Sequence, residues 1–352
     1  AFVVGRGSET AQEPAPRHHA AEVGQHLLDA LARPCDIGGQ ALHTSACMGI
    51  ALFMGTRESA DELLKQADMA LHQAKQAGPG SLRMYSQVEH EKLQKRANLV
   101  RDLRAAIEQQ QFELYYQPQI RAAAVIGAEA LVRWHHPRDG FVSPAQFIPL
   151  AEETGLIVQL GEWVLGSACR TLARWSTDPL LRDIQLAVNV SPRQFYQEQF
   201  IGTVLAALST SGADARRLEL ELTEGLLLQD VEGTITKMDE LRGYGVSFSL
   251  DDFGTGYSSL AYLKRLPLDK LKIDQSFVRD VLVDDNDAAI ARTIVSLGNT
   301  LGLATIAEGV ETEAQKRFLL HNGCDTWQGY LFSRPLPAAD FERFVHARKR
   351  AA

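Results

Sequence analysis

Two aspartates stand side by side at Asp251 and Asp252, between the strand-like run VSFSL and a loop that carries Gly254 and Gly256. Alternation along a strand sends neighbouring side chains to opposite faces, so two like charges at this point call for a shared task. Other acids and amides recur in the same setting. In LELELTE, Leu218, Leu220 and Leu222 fall on one face, with Glu219, Glu221 and Thr223 on the other. In KLKID, Leu271 and Ile273 oppose Lys272 and Asp274. Glu129 lies in GAEALVRW, Asn189 in QLAVNVS and Glu308 at the end of ATIAEG. A solvated strand end accounts for any one of these residues. A common pocket better accounts for five strands that all deliver carboxylate or amide groups to one end. Converging carboxylates repel one another unless protons or cations intervene. An all-oxygen donor set with one amide, and no His or Cys at ligand spacing, points to Mg²⁺ or Mn²⁺ rather than zinc. If Asp251 takes the last inward position and Asp252 the first loop position, both reach a pair of metal ions about 3.5–4 Å apart. Lys272 in such a pocket would orient water or support phosphate charge. An ion-paired strand lysine is the plainer alternative.

These residues need a frame that brings strand ends together. From about Leu99 onward, short strands alternate with helical patterns: FELYYQP, GAEALVRW, QLAVNVS, LELELTE, VSFSLDD, KLKID, ATIAEG and TWQGYLF. Ser143-Pro144 with Gln146 predicts a helix that ends near Gly155. Thr312 with Gln315 predicts another that stops at Asn322-Gly323. Eight strands over this length match a (β/α)8 barrel, an α/β fold whose active site gathers at the C-terminal ends of the strands. A doubly wound sheet is the alternative, but no strand runs into GxGxxG. Ahead of the barrel, AFVVG reads as a strand, AAEVGQHLLDALA as a helix and TSACMGIALF as a strand. SADELLKQADMALHQAKQAG reads as a helix opened by Ser59 and Glu62 and closed by Gly78-Pro79. The charged segment from Ser86 to about Asn98 is helix-prone and reads as a linker.

With 45% hydrophobic and 23% charged residues, the 352-residue chain has the composition of a globular protein with ample core. A net charge of −8 argues against coating a nucleic-acid polymer but leaves room for a small phosphate-bearing ligand. Cys35, Cys47, Cys169 and Cys324 show no CxxC spacing and read as reduced, buried thiols. No apolar run reaches the roughly 18 residues of a membrane span, so this stretch is expected in the cytoplasm, although upstream segments could tether a longer protein. DFG at 252–254 suggests a kinase metal loop, yet HRD-x4-N and VAIK are missing. His135-His136 before Pro137 looks like a metal pair, but a turn is the more common use of such a sequence.

EALVRW at 129–134 is similar to the signature of the EAL-domain phosphodiesterases. Further likeness runs through YYQP at 115–118, FIPLAEETGLI at 147–157, NVSPRQF at 189–195 and ELTE at 221–224. It continues through DDFGTGYSSL at 251–260, LKID at 271–274, AEGVET at 307–312 and QGYLFSRPLP at 328–337. The resemblance implies hydrolysis of cyclic di-GMP to linear pGpG with two Mg²⁺ or Mn²⁺ ions. Glu129, Asn189, Glu221 and Asp251 resemble the ligands of one metal, with Asp251 and Asp252 serving the second. Lys272, Glu308 and Gln328 would hold water and metal-bound groups, and Glu224 would steady the loop from Asp252 to Ser259. Gln117, Arg133, Asp274, Glu311 and Tyr330 would contact the dinucleotide, Arg133 being suited to a bidentate phosphate grip. Gly225 departs from the family, which often has serine there. Residues 1–86 resemble the C-terminal part of a GGDEF diguanylate cyclase domain whose signature turn would precede AFVV.

The expected organisation is therefore 1–86 as a partial GGDEF-like domain, 87–98 as a linker helix and 99–352 as an EAL barrel. The expected activity is that of a metal-dependent phosphodiesterase in bacterial second-messenger signalling, working as a homodimer. In the same family the helix SSLAYLKRL tends to lie at the dimer contact. The rivals are a silent receptor for the same dinucleotide and a purely structural dimerisation module. Half a GGDEF domain is expected to bury its apolar surface poorly.

Overall fold

The computed structural model describes residues 15–38, 40–53, 59–228, 230–254 and 260–351. The expected opening strand AFVVG and the loop residues 255–259 lie outside the described residues. The chain divides into two compact units, Ala1–Asn98 and Leu99–Ala352.

The first unit is slight. Its helices are Ala15–Leu31 and Ala60–Ala77, with a parallel strand pair Met48–Ile50 and Leu82–Met84 and an antiparallel pair Cys35–Ile37 and Gln40–Leu42. Ser59 caps the second helix by accepting from the Glu62 N–H. Few side chains of this unit are fully buried: Leu28, Ala70 and Ala74 are, whereas Leu42, Phe53 and Leu64 stay exposed. The helix expected as a linker over 87–98 runs from Gln87 to Glu108, ten residues farther.

The second unit is built on a ten-stranded sheet whose strands we number β1–β10 in chain order. They are β1 (Phe112–Arg121), β2 (Ala124–His136), β3 (Gly140–Val142), β4 (Gln185–Val190), β5 (Leu218–Thr223), β6 (Ser247–Phe253), β7 (Lys270–Ile273), β8 (Ala304–Ala307), β9 (Thr326–Trp327) and β10 (Leu336–Pro337). Pairing runs β1-β2-β4-β5-β6-β7-β8-β9 and returns to β1, which closes an eight-stranded barrel. The closed ring agrees with the barrel read from the sequence. Its first step does not: no helix separates β1 from β2. The two strands form a hairpin, so β1 runs antiparallel to both β2 and β9 while the other barrel pairs are parallel. The turn is made by Ala122 and Ala123 at φ 46° and 69°, the conformation that a two-residue hairpin needs and that Asn-Gly usually supplies. Without that turn chemistry the hairpin was not recognisable in the sequence.

The strands β5, β6 and β7 are greasy outside and polar inside. Leu218, Leu220 and Leu222 on β5, Phe248 and Leu250 on β6, and Leu271 and Ile273 on β7 are at most 1% exposed and pack outward against helices. Each such side chain contributes roughly 1.5–3 kcal/mol on burial. The helix Asp285–Leu301 shows how the outer layer is specified. Asp284 caps its start by accepting from the Asn286 N–H, Gly302 ends it in the left-handed conformation, and Ala288, Ala291, Ile294 and Val295 form its buried stripe. The predicted boundaries at Gly155 and at Thr312–Gln315 also hold, the latter as a full capping box. Two elements are shorter than expected. The helix in SSLAYLKRL covers Leu260–Leu263 among the described residues, and the strand in TWQGYLF is only Thr326–Trp327. No helix among the described residues is long and apolar enough to cross a membrane.

Candidate active site

The inward positions of neighbouring strands are in register. Gln117 lies opposite Glu129, Asn189 opposite Glu221, and Ser249 next to Glu221. Because the strands run parallel from β2 to β9, their polar residues collect at one end of the barrel. At the centre of that collection stands Lys272, 1% exposed. Its ammonium lies 2.9 Å from Glu221, 3.0 Å from Asp251, 2.6 Å from Glu308 and 4.0 Å from Glu129. Burial alone would lower the pKa of this lysine. The carboxylates of Glu129, Glu221, Glu308 and Asp251 outweigh burial together and hold its pKa well above the usual lysine value.

The acids respond differently to the shared environment. Burial pushes Glu221 well above the carboxylate range despite Lys272, and the charges of Glu129, Asp251 and Glu219 add to the rise. Burial also pushes Glu308 up to about 8. Glu129 is equally enclosed. Lys272 and hydrogen bonds from Gln328 and Asn189 nevertheless carry it below its ordinary value. Asn189 Nδ2 donates to Glu129 Oε1 at 2.7 Å, and Gln328 Nε2 donates to Glu129 Oε2 and, at 3.1 Å, to Gln117 Oε1. Glu129, Asn189, Glu221, Asp251, Lys272, Glu308, Gln328 and Gln117 are thus brought into one connected cluster.

The paired aspartates have a specific explanation. The register of β6 against β7 shifts between Leu250 and Phe253, and Asp252 adopts φ 53°. This bulge turns Asp252 out of simple alternation while the strand continues to Phe253, so the break lies inside the strand rather than at its end as the sequence suggested. The Asp252 N–H donates to Asp251 Oδ1 at 3.0 Å. Burial, the Asp251 charge and a hydrogen bond to Asp274 raise the Asp252 carboxyl to about 6. Asp274, its partner in that hydrogen bond, has its pKa lowered because the hydrogen bonds from Ser276 and Asp252 outweigh burial. Asp274 also caps the helix Gln275–Arg279 by accepting from the Ser276 N–H at 2.9 Å. The residue expected as a substrate contact thus also carries this local role. Glu224 accepts from the Gly254 N–H at 3.3 Å, which ties the start of the loop to β5.

The outer ring of predicted residues is less uniform. Arg133 is half-buried and lies over the Tyr115 ring at 5.5 Å. Tyr330 is half exposed beneath the Arg334 guanidinium. Glu311 is exposed. Its backbone N–H donates to Gln315 Oε1, and no ion pair or hydrogen bond among the described residues ties its side chain to the cluster. His135 and His136 finish β2, and His136 Nδ1 accepts the Asp139 N–H at 3.0 Å, the work of a turn residue. Of the thiols expected to be buried, Cys169 and Cys324 are and Cys35 is exposed.

A second polar layer lies one inward step below. Lys270 pairs with Glu219 and donates to Gln185 Oε1 at 2.8 Å, while Gln185 Nε2 donates to Ser247 Oγ at 2.6 Å. The alternation of LELELTE and KLKID already placed Glu219 and Lys270 inside the barrel, so this layer was findable from the pattern that led to Glu221 and Lys272.

Among the described residues, no three His, Cys, Asp or Glu side chains stand at ready-made metal spacing. The carboxylates are drawn around the ammonium instead. The donors nevertheless suit a hard divalent cation. All are oxygens, and Glu221 Oε1 and Gln328 Oε1 are buried with no hydrogen-bond donor among the described residues.

Comparison with known proteins accords with this geometry. Residues 100–335 match the EAL domain family. The chain belongs to the EAL-domain family. Residues 10–81 match the diguanylate cyclase GGDEF domain family. Among curated EAL-domain relatives, the bifunctional diguanylate cyclase/cyclic di-GMP phosphodiesterase MucR of Pseudomonas aeruginosa is 43% identical over 330 residues, 93% of this chain and 48% of MucR. The cyclic di-GMP phosphodiesterase NbdA of the same organism is 42% identical over 332 residues, 94% of this chain and 42% of NbdA. The chain therefore spans about half the length of these relatives or less. A solved structure of the MucR phosphodiesterase in complex with c-di-GMP superposes on the EAL region with a TM-score of 0.67 and 48% identity, covering 69% of this chain and 99% of that one.

Proposed function

We propose that this EAL domain is a divalent-metal-dependent phosphodiesterase that hydrolyses cyclic di-GMP to linear pGpG. The observation that carries the proposal is the single ammonium of Lys272 ringed by Glu129, Glu221, Asp251 and Glu308 at the polar end of a closed barrel. EAL phosphodiesterases generally depend on a divalent metal, and the names and c-di-GMP complex of the relatives support the substrate.

Glu129, Asn189, Glu221, Asp251 and Asp252 would hold Mg²⁺ or Mn²⁺. When bound, such ions supply Lewis acidity towards the phosphate and lower the pKa of water. Lys272 keeps a positive charge where negative charge develops on the phosphate and the departing ribose oxygen. Gln328 holds Glu129 in place and also ties in Gln117 on the neighbouring strand. Arg133 offers a planar fork to a second phosphate, and its charge offsets the acidity of the pocket for an anionic ligand. Glu224 holds the Asp252 loop through Gly254. Tyr330 and Glu311 complete the proposed contact set from the rim.

The same proposal includes residues 1–86 as a partial GGDEF-like domain, 87–98 as a linker and 99–352 as the catalytic barrel, acting in the cytoplasm as a homodimer. Tyr262, 44% exposed on the short helix after the loop, supports pairing at that helix. The test is product analysis. Chelator-treated protein refilled with Mg²⁺ or Mn²⁺ should convert cyclic di-GMP to pGpG. Ca²⁺, larger and with longer ligand distances, should permit binding with little cleavage. Tight binding with no product in any metal would instead favour the silent-receptor reading.

A further inference from the structure

The segment that follows Gln328 is built with unusual constraint. Gly329 has φ 156°, and a Cβ there would lie 2.2 Å from the Val310 carbonyl oxygen and 2.3 Å from its nitrogen. Only glycine lets the chain press against Val310, whose N–H donates to Gln328 O and whose carbonyl accepts the Leu331 N–H, both at 3.0 Å. Four residues after Gly329, Gln117 Nε2 donates to the Ser333 carbonyl at 3.3 Å. The segment is thus fastened at both ends to residues of the candidate site. Between these anchors it presents Tyr330, 50% exposed, with the Arg334 guanidinium 4.3 Å from the ring centroid. Arg334 is itself exposed, and no hydrogen bond or ion pair among the described residues uses its side-chain N–H groups. Tyr330 follows two residues after Gln328, whose amide donates to Glu129 Oε2, so the stack lies next along the chain to the pocket.

An arginine held over an aromatic ring has lost much of its freedom while its N–H groups stay open to a ligand. Those groups match the O6 and N7 acceptors of guanine. Adenine presents an N6 donor in place of O6 and cannot receive the same fork. Resting on the reading of this barrel as a cyclic dinucleotide hydrolase, we propose that Arg334, held on Tyr330, is a specificity-determining residue that selects guanine over adenine in the bound dinucleotide.

The experiment compares the full chain with Arg334→Met and Arg334→Lys in saturating Mg²⁺. It reads KM and kcat for cyclic di-GMP, inhibition by cyclic di-AMP, and turnover of bis(p-nitrophenyl) phosphate, which has no base. Arg334→Met should raise KM for cyclic di-GMP by about five- to 150-fold, the span of one bidentate base contact, with kcat within about twofold. Inhibition by cyclic di-AMP and turnover of the baseless diester should stay as in the parent. Arg334→Lys keeps the charge but not the fork and should resemble Arg334→Met. Equal losses for both dinucleotides, full rescue by lysine or an unchanged KM would each overturn the proposal. If the parent protein cleaves no cyclic dinucleotide, the hydrolase reading fails instead, and the two failures are distinct.

Discussion

Replacing Lys272 by methionine removes the one positive charge among four carboxylates while roughly preserving its volume. The parent ammonium has contacts at 2.6, 2.9 and 3.0 Å and a fourth at 4.0 Å, and the side chain is 1% exposed. Breaking a buried ion pair from one side costs about 3–5 kcal/mol because the remaining charge is left without a partner. Uptake of a proton by Glu221 or Glu308, both already shifted upward by burial, limits the loss to that range rather than a multiple of it. For a unit of this size, about 2–4 °C is lost per kcal/mol, so chelated Lys272→Met should melt roughly 6–20 °C below the parent. Divalent metal should return part of the loss, since it can neutralise the same carboxylates, and the metal-induced rise in Tm should exceed that of the parent. Hydrolysis should fall by at least two orders of magnitude. Scanning calorimetry with EDTA or with 5 mM Mg²⁺ added reads the stabilities directly, and circular dichroism confirms the fold. A chelated variant within about 1 kcal/mol of the parent would refute the argument that Lys272 is the counter-ion of the cluster.

Two further outcomes follow from other parts of the molecule. Ala123 holds φ 69° in the β1–β2 turn, a conformation that costs an L-residue about 1 kcal/mol and glycine little, so Ala123→Gly should raise the denaturation midpoint with no change in activity. Burial pushes the Cys169 thiol up to about 12 and the Cys324 thiol to about 11. At pH 8 both stay protonated as well as enclosed, so iodoacetamide should label exposed Cys35 in the native protein and reach Cys169 and Cys324 only after denaturation, as read by peptide mass spectrometry.

The parts of this molecule that could be read from sequence are those governed by periodicity and by local caps. The alternation in LELELTE and KLKID gave both faces of β5 and β7, and the Thr312–Gln315 box gave the start of its helix to the residue. The parts that could not be read depend on backbone states that no side chain announces. Ala122 and Ala123 carry none of the usual marks of a hairpin turn, so the antiparallel first strand was hidden. Asp251 and Asp252 were legible as a strand end running into a loop, but not as the register shift and left-handed Asp252 that part them. Alternation showed Asp274 facing inward, but not that it also caps the helix that begins at Gln275. The stack of Arg334 on Tyr330 depends on how Gly329 folds against Val310, a tertiary contact with no local signature.

The central claim is that the carboxylates around Lys272 form a metal-dependent centre that cleaves cyclic di-GMP. It is tested most directly by measuring pGpG formation and cyclic di-GMP binding side by side for the parent and for Asp251→Ala at saturating Mg²⁺. The parent should turn over the dinucleotide. The variant should keep its circular dichroism spectrum and lose turnover by a factor of about 10²–10³, the scale of a lost group that organises charge in the transition state. Near-parental turnover by a folded Asp251→Ala protein would contradict the account.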